Sequence, residues 1–248
     1  MWKYCGKKII ETLIIMLLIS FFSFAIIYIA PGDISSMYIT SDMSEKEREA
    51  VLEKLGANQS LPEQYAGWMG NALHGDLGVS LSNKSSVAPQ LARRLPTTIL
   101  LMGCSLILSL LIAIPLGLWA GYKKNGIVDN LISFLSYIGM SIPSFWLGML
   151  LIILFTAELG ILPSGGIHTV CNESVTDTIK HLIMPSITLS LGSVATFIRY
   201  IRANTISQLA EEYVLTAEAK GTSAFNILRK HVLKNTLLPI ITLMGMNL

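Results

Sequence analysis

Between residues 168 and 181 stand five side chains with metal-ligand chemistry: His168, Cys171, Glu173, Asp177 and His181. Imidazole, thiolate and carboxylate all bind divalent ions, but this spacing fits no dense metal motif, and scattered polar residues in a loop are usually solvated. No metal or catalytic residue is assigned. Catalysis inside a membrane would need a Ser/His, Asp/Asp or His-Glu-x-x-His constellation, and the chain's long charge-free runs contain no histidine or carboxylate. Nucleotide hydrolysis would need Gly-x-x-x-x-Gly-Lys-Ser/Thr, which occurs nowhere. An enzyme is therefore not expected. The remaining chemistry is that of being held. Glu211-Glu212-Tyr213-Val214-Leu215-Thr216-Ala217-Glu218-Ala219-Lys220-Gly221, running on to Pro239, is a polar segment between two apolar runs.

Those runs set the class. Of 248 residues, 52% are hydrophobic and 14% charged, against about a quarter charged in soluble domains. Thr12–Ala30, Leu95–Tyr122 and Leu131–Phe155 hold 19, 28 and 25 residues without a charge, and each is long enough to span a bilayer at about 20 residues per span. Leu182–Ile198 holds 17 and qualifies if Arg199 snorkels to the interface. Asn235–Leu248 reads as the start of a fifth span. The first run lacks a small-x-small cleavage site and is read as a retained span rather than a signal peptide. The expected fold is all-α, a polytopic membrane helix bundle. Eleven of the 18 basic residues, among them Lys7, Lys8, Lys123, Lys124, Arg202 and Arg229, fall on one side if the N-terminus is cytoplasmic, as the positive-inside rule asks. Cys5, Cys104 and Cys171 then lie in different compartments, and no disulfide is expected.

The expected organisation is a cytoplasmic N-terminus (1–8), a first span (9–30), an extracytoplasmic helical subdomain (31–94) and a core of further spans (95–248), with a cytoplasmic loop at 199–238. In the subdomain, Ser44 and Glu47 predict a capping box for a helix ending at Gly56. Pro62 opens a second helix that places Tyr65, Trp68, Met69 and Leu73 on one face. Pro96 is expected to open the second span. Pro115, Pro143 and Pro185 interrupt the second, third and fourth spans, where they remove backbone bonds and predict kinks. Gly103, Gly117, Gly139, Gly148 and Gly192 permit close helix approach. Ser141 and Ser144 beside Pro143 are candidate translocation-path residues, with helix packing the competing role.

The segment after the fourth span reads as helix, glycine hinge, helix. Glu211–Lys220 suits a helix, Gly221 a left-handed stop, and Ser223 a cap. Phe225, Leu228, Val232 and Leu233 form an apolar stripe beside Arg229, Lys230 and Lys234. Small residues at Ala217 and Gly221 would let the first helix lie deep in a partner's groove. Residue chemistry alone fits a basic amphipathic helix on anionic lipid equally well.

Tyr213-Val214-Leu215-Thr216-Ala217-Glu218-Ala219-Lys220-Gly221, with Arg229-Lys230-His231 and Lys234-Asn235-Thr236-Leu237-Leu238-Pro239, resembles the EAA loop of ABC-importer permeases of the oligopeptide, dipeptide and nickel branch. Pro31-Gly32-Asp33, Gly75-Asp76-Leu77-Gly78, Arg94-Leu95-Pro96-Thr97-Thr98, Ser141-Ile142-Pro143-Ser144-Phe145-Trp146, Gly160-Ile161-Leu162-Pro163-Ser164-Gly165-Gly166 and His181-Leu182-Ile183-Met184-Pro185-Ser186 follow that branch in order. Leu215 departs, standing where a glutamate or arginine is usual. The resemblance implies a type I importer with six helices, the sixth expected but absent from this sequence. It also implies that Tyr213, Val214, Thr216, Ala217, Glu218, Ala219, Lys220 and Gly221 form a coupling helix in a cleft of an ATP-hydrolysing subunit.

The implied partners are a second homologous permease, two ATP-binding subunits, an extracytoplasmic solute-binding protein and membrane lipid; nucleic acid is not among them. No cofactor is expected on this chain, and ATP and magnesium would be used by the partner subunits. The implied location is a bacterial or archaeal cytoplasmic membrane. The short loop at Gly165–Thr169 resembles oligopeptide permeases, with nickel or a nickel–chelator complex as alternative cargo. A channel or membrane sensor is the distant alternative, and the chain shows neither filter loop nor gating charges.

Overall fold

The computed structural model describes residues 2–29, 43–46, 49, 59–80, 82–83, 85–172 and 174–247. The helix expected over Ser44–Gly56 and the Pro31-Gly32-Asp33 motif fall largely or wholly outside those residues. The chain forms two compact units, 1–94 and 95–248. It is an all-α membrane protein. In hydrocarbon each backbone N–H and C=O needs a partner within the protein, and helices supply one inside the same segment.

In the first unit, α1 (Trp2–Ile29) carries the charge-free run. It begins seven residues before the expected span, because Lys7 and Lys8 pair with Glu11 one turn on and extend the helix into polar sequence. Next comes α2 (Leu61–Leu73). Ser60 anchors it by donating from both N–H (2.9 Å) and Oγ (2.7 Å) to Glu63 Oε2, which holds that carboxyl below the usual range. The cap sits at Ser60, three residues before Glu63, a spacing readable in the sequence beside Pro62. Tyr65 packs edge-on against Phe21 and Phe24, and its hydroxyl lies 2.6 Å from Ser20 Oγ. Trp68 reaches Phe24, but Leu73 is 79% exposed, so the expected apolar face is used only along its first turn.

The long helix α3 (Val87–Tyr122) contains Pro96 and Pro115 in its interior. Pro96 does not open it, since the helix is already nine residues long there. In the second unit follow α4 (Ile127–Ser141), α5 (Ser144–Ile152) continued by a π-helical turn at Ile153–Glu158, and α6 (Val175–Leu209). The third expected span is not one straight helix: α4 and the Ser144–Glu158 segment meet at 92° across Ile142–Pro143. By contrast, α6 runs through Pro185 without interruption and continues eleven residues past Ile198, about 16 Å at 1.5 Å per residue. Among the described residues three helices are long and apolar enough to cross a membrane, or four with the bent pair. The chain then folds through α7 (Glu212–Ala219), α8 (Ala224–Ile227) and a π-helical turn at Leu228–Val232 into α9 (Leu233–Asn247).

The central element of the second unit is α6, which packs against α4, α5 and α9. Its residues Phe197, Ile198 and Ile201 form a buried cluster with Ala113 and Ala120 of α3, Ile132 of α4 and Ile240 of α9. With no hydrophobic drive between helices in lipid, such contacts rest on van der Waals packing and close approach. The approach is closest at Gly117 and Gly121 of α3. A Cβ at either would lie 2.6 Å from the Cβ of Ile201 or Thr205, respectively. Gly139 and Gly148 make looser contacts with Leu191 and Thr188, while nothing lies within 4 Å of a Cβ at Gly103 or Gly192. Gly121 escaped the sequence reading although Gly117-x-x-x-Gly121 is a readable spacing. Replacing Gly121 with leucine is expected to separate α3 from α6 and destabilise the fold by about 1–3 kcal/mol or more. A thermal-aggregation assay in detergent checks this; an unchanged midpoint would show that the helices do not meet there.

Candidate functional site

The segment from Leu209 to Leu233 is a folded knob at the end of the α6 rod. Glu211 takes the N-cap position of α7, with Glu212 in its first turn, so negative charge faces the positive end of the helix dipole. At the other end, Gly221 adopts φ 76°, its N–H donates to Glu218 O (2.8 Å) and Thr222 N–H donates to Ala217 O (3.0 Å). That pair of bonds is a Schellman stop, which only a left-handed residue completes. Ser223 occupies the N-cap position of α8 but makes no side-chain cap bond.

Four side chains form the knob's own core: Val214 and Ala217 from α7, with Ile227 and Val232 from the return segment. Tyr213 binds three elements together. Its hydroxyl donates to Gln208 Oε1 of α6 (2.6 Å), accepts from Asn235 Nδ2 of α9 (3.0 Å), and its ring lies 6.2 Å from that of His231. Leu118 of α3 packs against the same cluster. Of the residues expected to meet a partner, Thr216, Glu218, Ala219, Lys220 and Gly221 are exposed, Tyr213 is half-buried, and Val214 and Ala217 face inward. Ala217 packs inside the knob, where its small side chain fits the knob's own core. One expectation is corrected here. Phe225 does not join the inner stripe; it is 69% exposed, its place taken by Ile227. Alongside Phe225, Leu215 is 55% exposed, so the outer surface carries two large apolar side chains among charges.

Removing the Tyr213 hydroxyl tests the binding of the three elements. Tyr213→Phe leaves Gln208 and Asn235 without this partner and is expected to lower stability by about 1 kcal/mol. Limited proteolysis at the knob should accelerate severalfold; an unchanged rate would remove Tyr213 from the scaffold.

Elsewhere, Ser141 lines an open cleft of about 560 Å³ at the Ile142–Pro143 break, beside Phe134, Tyr137, Phe145 and Trp146. Its Oγ donates to Tyr137 O (2.9 Å) within α4. Ser144 is the exposed first residue of α5 and does not line that cleft. At the break Ile142 leaves the helical region (φ −77°, ψ 120°), a conformation the following proline favours. Pro115 and Pro185 lie inside unbroken helices, Pro115 two residues after buried Ala113 and Pro185 between buried Met184 and Ser186.

The possible metal ligands have a different use. Thr169 donates from N–H (2.6 Å) and Oγ1 (2.7 Å) to the carboxylate of Asp177, and His181 Nε2 lies 3.5 Å from the same carboxylate. Thr178 Oγ1 lies 3.2 Å from His168 Nδ1. These contacts tie the 160–172 loop onto the first turns of α6. Cys171 is exposed, Glu173 lies outside the described residues, and no group of three or more potential ligands converges among those described.

One buried group escaped the sequence reading. Asp129, in the first turn of α4, is 1% exposed and receives both Nε and Nη2 of Arg202 from α6, the second at 2.7 Å. Asn125 N–H (2.8 Å) and Ser133 Oγ (3.4 Å) also donate to it. The available signal was a lone carboxylate two residues before the apolar run that starts at Leu131, with an arginine four residues after the run that ends at Ile198.

The bent helix pair, long rod and terminal knob form a membrane scaffold with a folded projection. Comparison with known proteins decides what scaffold this is. Residues 113–248 match the family described as "Binding-protein-dependent transport system inner membrane component", and residues 1–102 match the corresponding N-terminal family. The chain belongs to that family. This permease is 38% identical to the oligopeptide transport system permease protein AppB of Bacillus subtilis over 99% of its own length and 78% of the relative's. It is 34% identical to a putative peptide permease of Brucella suis, and 32% identical to the glutathione transport system permease protein GsiC of Escherichia coli K12, with the same two coverages. It is thus a multi-pass inner-membrane permease subunit of an ABC importer.

Proposed function

We propose that this permease forms, with a second homologous permease, the translocation path for short peptides, and that its knob couples that path to ATP-hydrolysing subunits. The observation that carries the coupling reading is the outward pair Leu215 and Phe225 on a self-supporting knob. Val214, Ala217, Ile227 and Val232 satisfy the knob's core without a partner, leaving the two exposed apolar residues free to seat in one. The outer ends of α7 and α8 then occupy a cleft of an ATP-binding subunit on the cytoplasmic side, where Lys220, Arg229, Lys230 and Lys234 also lie. ATP and magnesium act in those subunits.

The α6 rod carries motion of the knob into the bundle. The aromatic-walled cleft at Ile142–Pro143, with Ser141 on its edge, is the proposed path lining, since a broken helix frees backbone groups where a cavity can use them. A solute-binding protein delivers cargo from the opposite side, where the 160–172 loop lies. The peptide assignment rests on the names of AppB and the Brucella relative.

Reconstitution tests the reading. In proteoliposomes holding this chain with its second permease, ATP-binding subunits and solute-binding protein, a labelled short peptide should accumulate only with ATP present. Accumulation independent of ATP would contradict the proposal.

A further inference from the structure

Within residues 95–248, the Lys/Arg–carboxylate pair between described residues that joins two helices is Asp129–Arg202; the His181–Asp177 contact lies within α6. Its placement is specific. Arg202 sits seven residues before the end of α6, beyond which the knob begins, and Asp129 opens α4, which leads to the break at Ile142–Pro143. At this level α6 is also set against α3 through Gly117 and Gly121 on Ile201 and Thr205.

A buried carboxylate needs compensation, and here four donors converge on it: two from Arg202, one from Asn125 and one from Ser133. Stability alone does not account for such a pair, because well-packed apolar replacements of a buried ion pair are often neutral or stabilising. What an apolar contact does not provide is direction. A planar guanidinium meeting both carboxylate oxygens accepts one relative placement of the two helices, whereas methyl groups slide past one another. Asn125, at φ 61°, donates its N–H to Asp129 Oδ2, the oxygen that also accepts from Arg202 Nη2, which fixes the carboxylate's end of the fork.

We propose that Asp129 and Arg202 are positioning residues for coupled transport. The fork locks α4 to the register of α6, so that a displacement of the knob reaches the Ile142–Pro143 break instead of dissipating as sliding between helices. The proposal rests on the coupling reading of the knob given above.

The test uses the assembled importer in proteoliposomes and reads peptide taken up per ATP hydrolysed. Arg202→Lys keeps the charge and loses the fork; it is expected to assemble and to lower the ratio at least threefold. The double variant Asp129→Leu with Arg202→Met replaces the pair by apolar packing and is expected to assemble with a ratio at least fivefold lower. A wild-type ratio in either assembled variant overturns the proposal. Loss of assembly in both overturns it too, by making the pair a folding element. A wild-type complex that shows no coupling of uptake to ATP counts against the coupling reading instead.

Discussion

Replacing Leu215 and Phe225 together by aspartate leaves the permease inserted and folded but lowers co-purification of an ATP-binding subunit at least tenfold. Both side chains are more than half exposed and neither belongs to the knob's core, so the knob loses nothing by their removal. Burial of a leucine or phenylalanine against a partner contributes about 1.5–3 kcal/mol each. A tenfold loss corresponds to about 1.4 kcal/mol, which the loss of one such contact already exceeds. Aspartate adds the cost of an unpaired charge in an apolar groove. Unchanged co-purification would move the docking surface elsewhere. The departure at Leu215 from the family's usual charged residue fits this reading: the position is outward-facing, and here it offers apolar area rather than an ion pair.

Gly221→Val is expected to lower uptake tenfold or more, through the backbone rather than through a clash. A Cβ at Gly221 meets nothing within 4 Å, so space is not what the position needs. Its φ of 76° is what excludes side chains, and a β-branched residue there is a genuine outlier costing about 1–3 kcal/mol. That cost falls on the Schellman stop that turns α7 back toward α8. Asparagine tolerates the left-handed region and alanine does so at intermediate cost, which predicts uptake in the order Gly, Asn, Ala, Val. Equal uptake for valine and glycine would show that the turn is not needed in transport. Steric seating against a partner would instead rank the variants by size, placing alanine above asparagine.

The contrast between these two positions shows what the residue order alone conveys. Gly221 was legible, because a glycine after a run of helix formers has one common backbone use. The division of labour around it was not. Phe225 looks like part of an inner stripe, yet the π-helical turn at Leu228–Val232 shifts the phase so that Ile227 faces inward and Phe225 outward. A 3.6-residue periodicity cannot anticipate that shift.

The prolines make the same point. Pro143 stands at a 92° bend while Pro115 and Pro185 stay within continuous helices, although each removes the same N–H. The lost N–H, common to all three, does not distinguish them. Arg199 and Arg202 end the apolar run and predict a loop, but Arg202 is bound by Asp129 and the helix carries on to Leu209. The order of spans and the position of the knob follow from hydrophobic length and charge. The Asp129–Arg202 fork needed coordinates, since 73 residues separate its partners.

The claim that the knob docks on an ATP-hydrolysing subunit is tested most directly by a photo-crosslinking residue at position 215 in the assembled importer. Irradiation should join this chain to an ATP-binding subunit, in a product that Phe225→Asp diminishes. Crosslinks to lipid alone, with none to that subunit, would contradict the account and return the knob to the membrane surface.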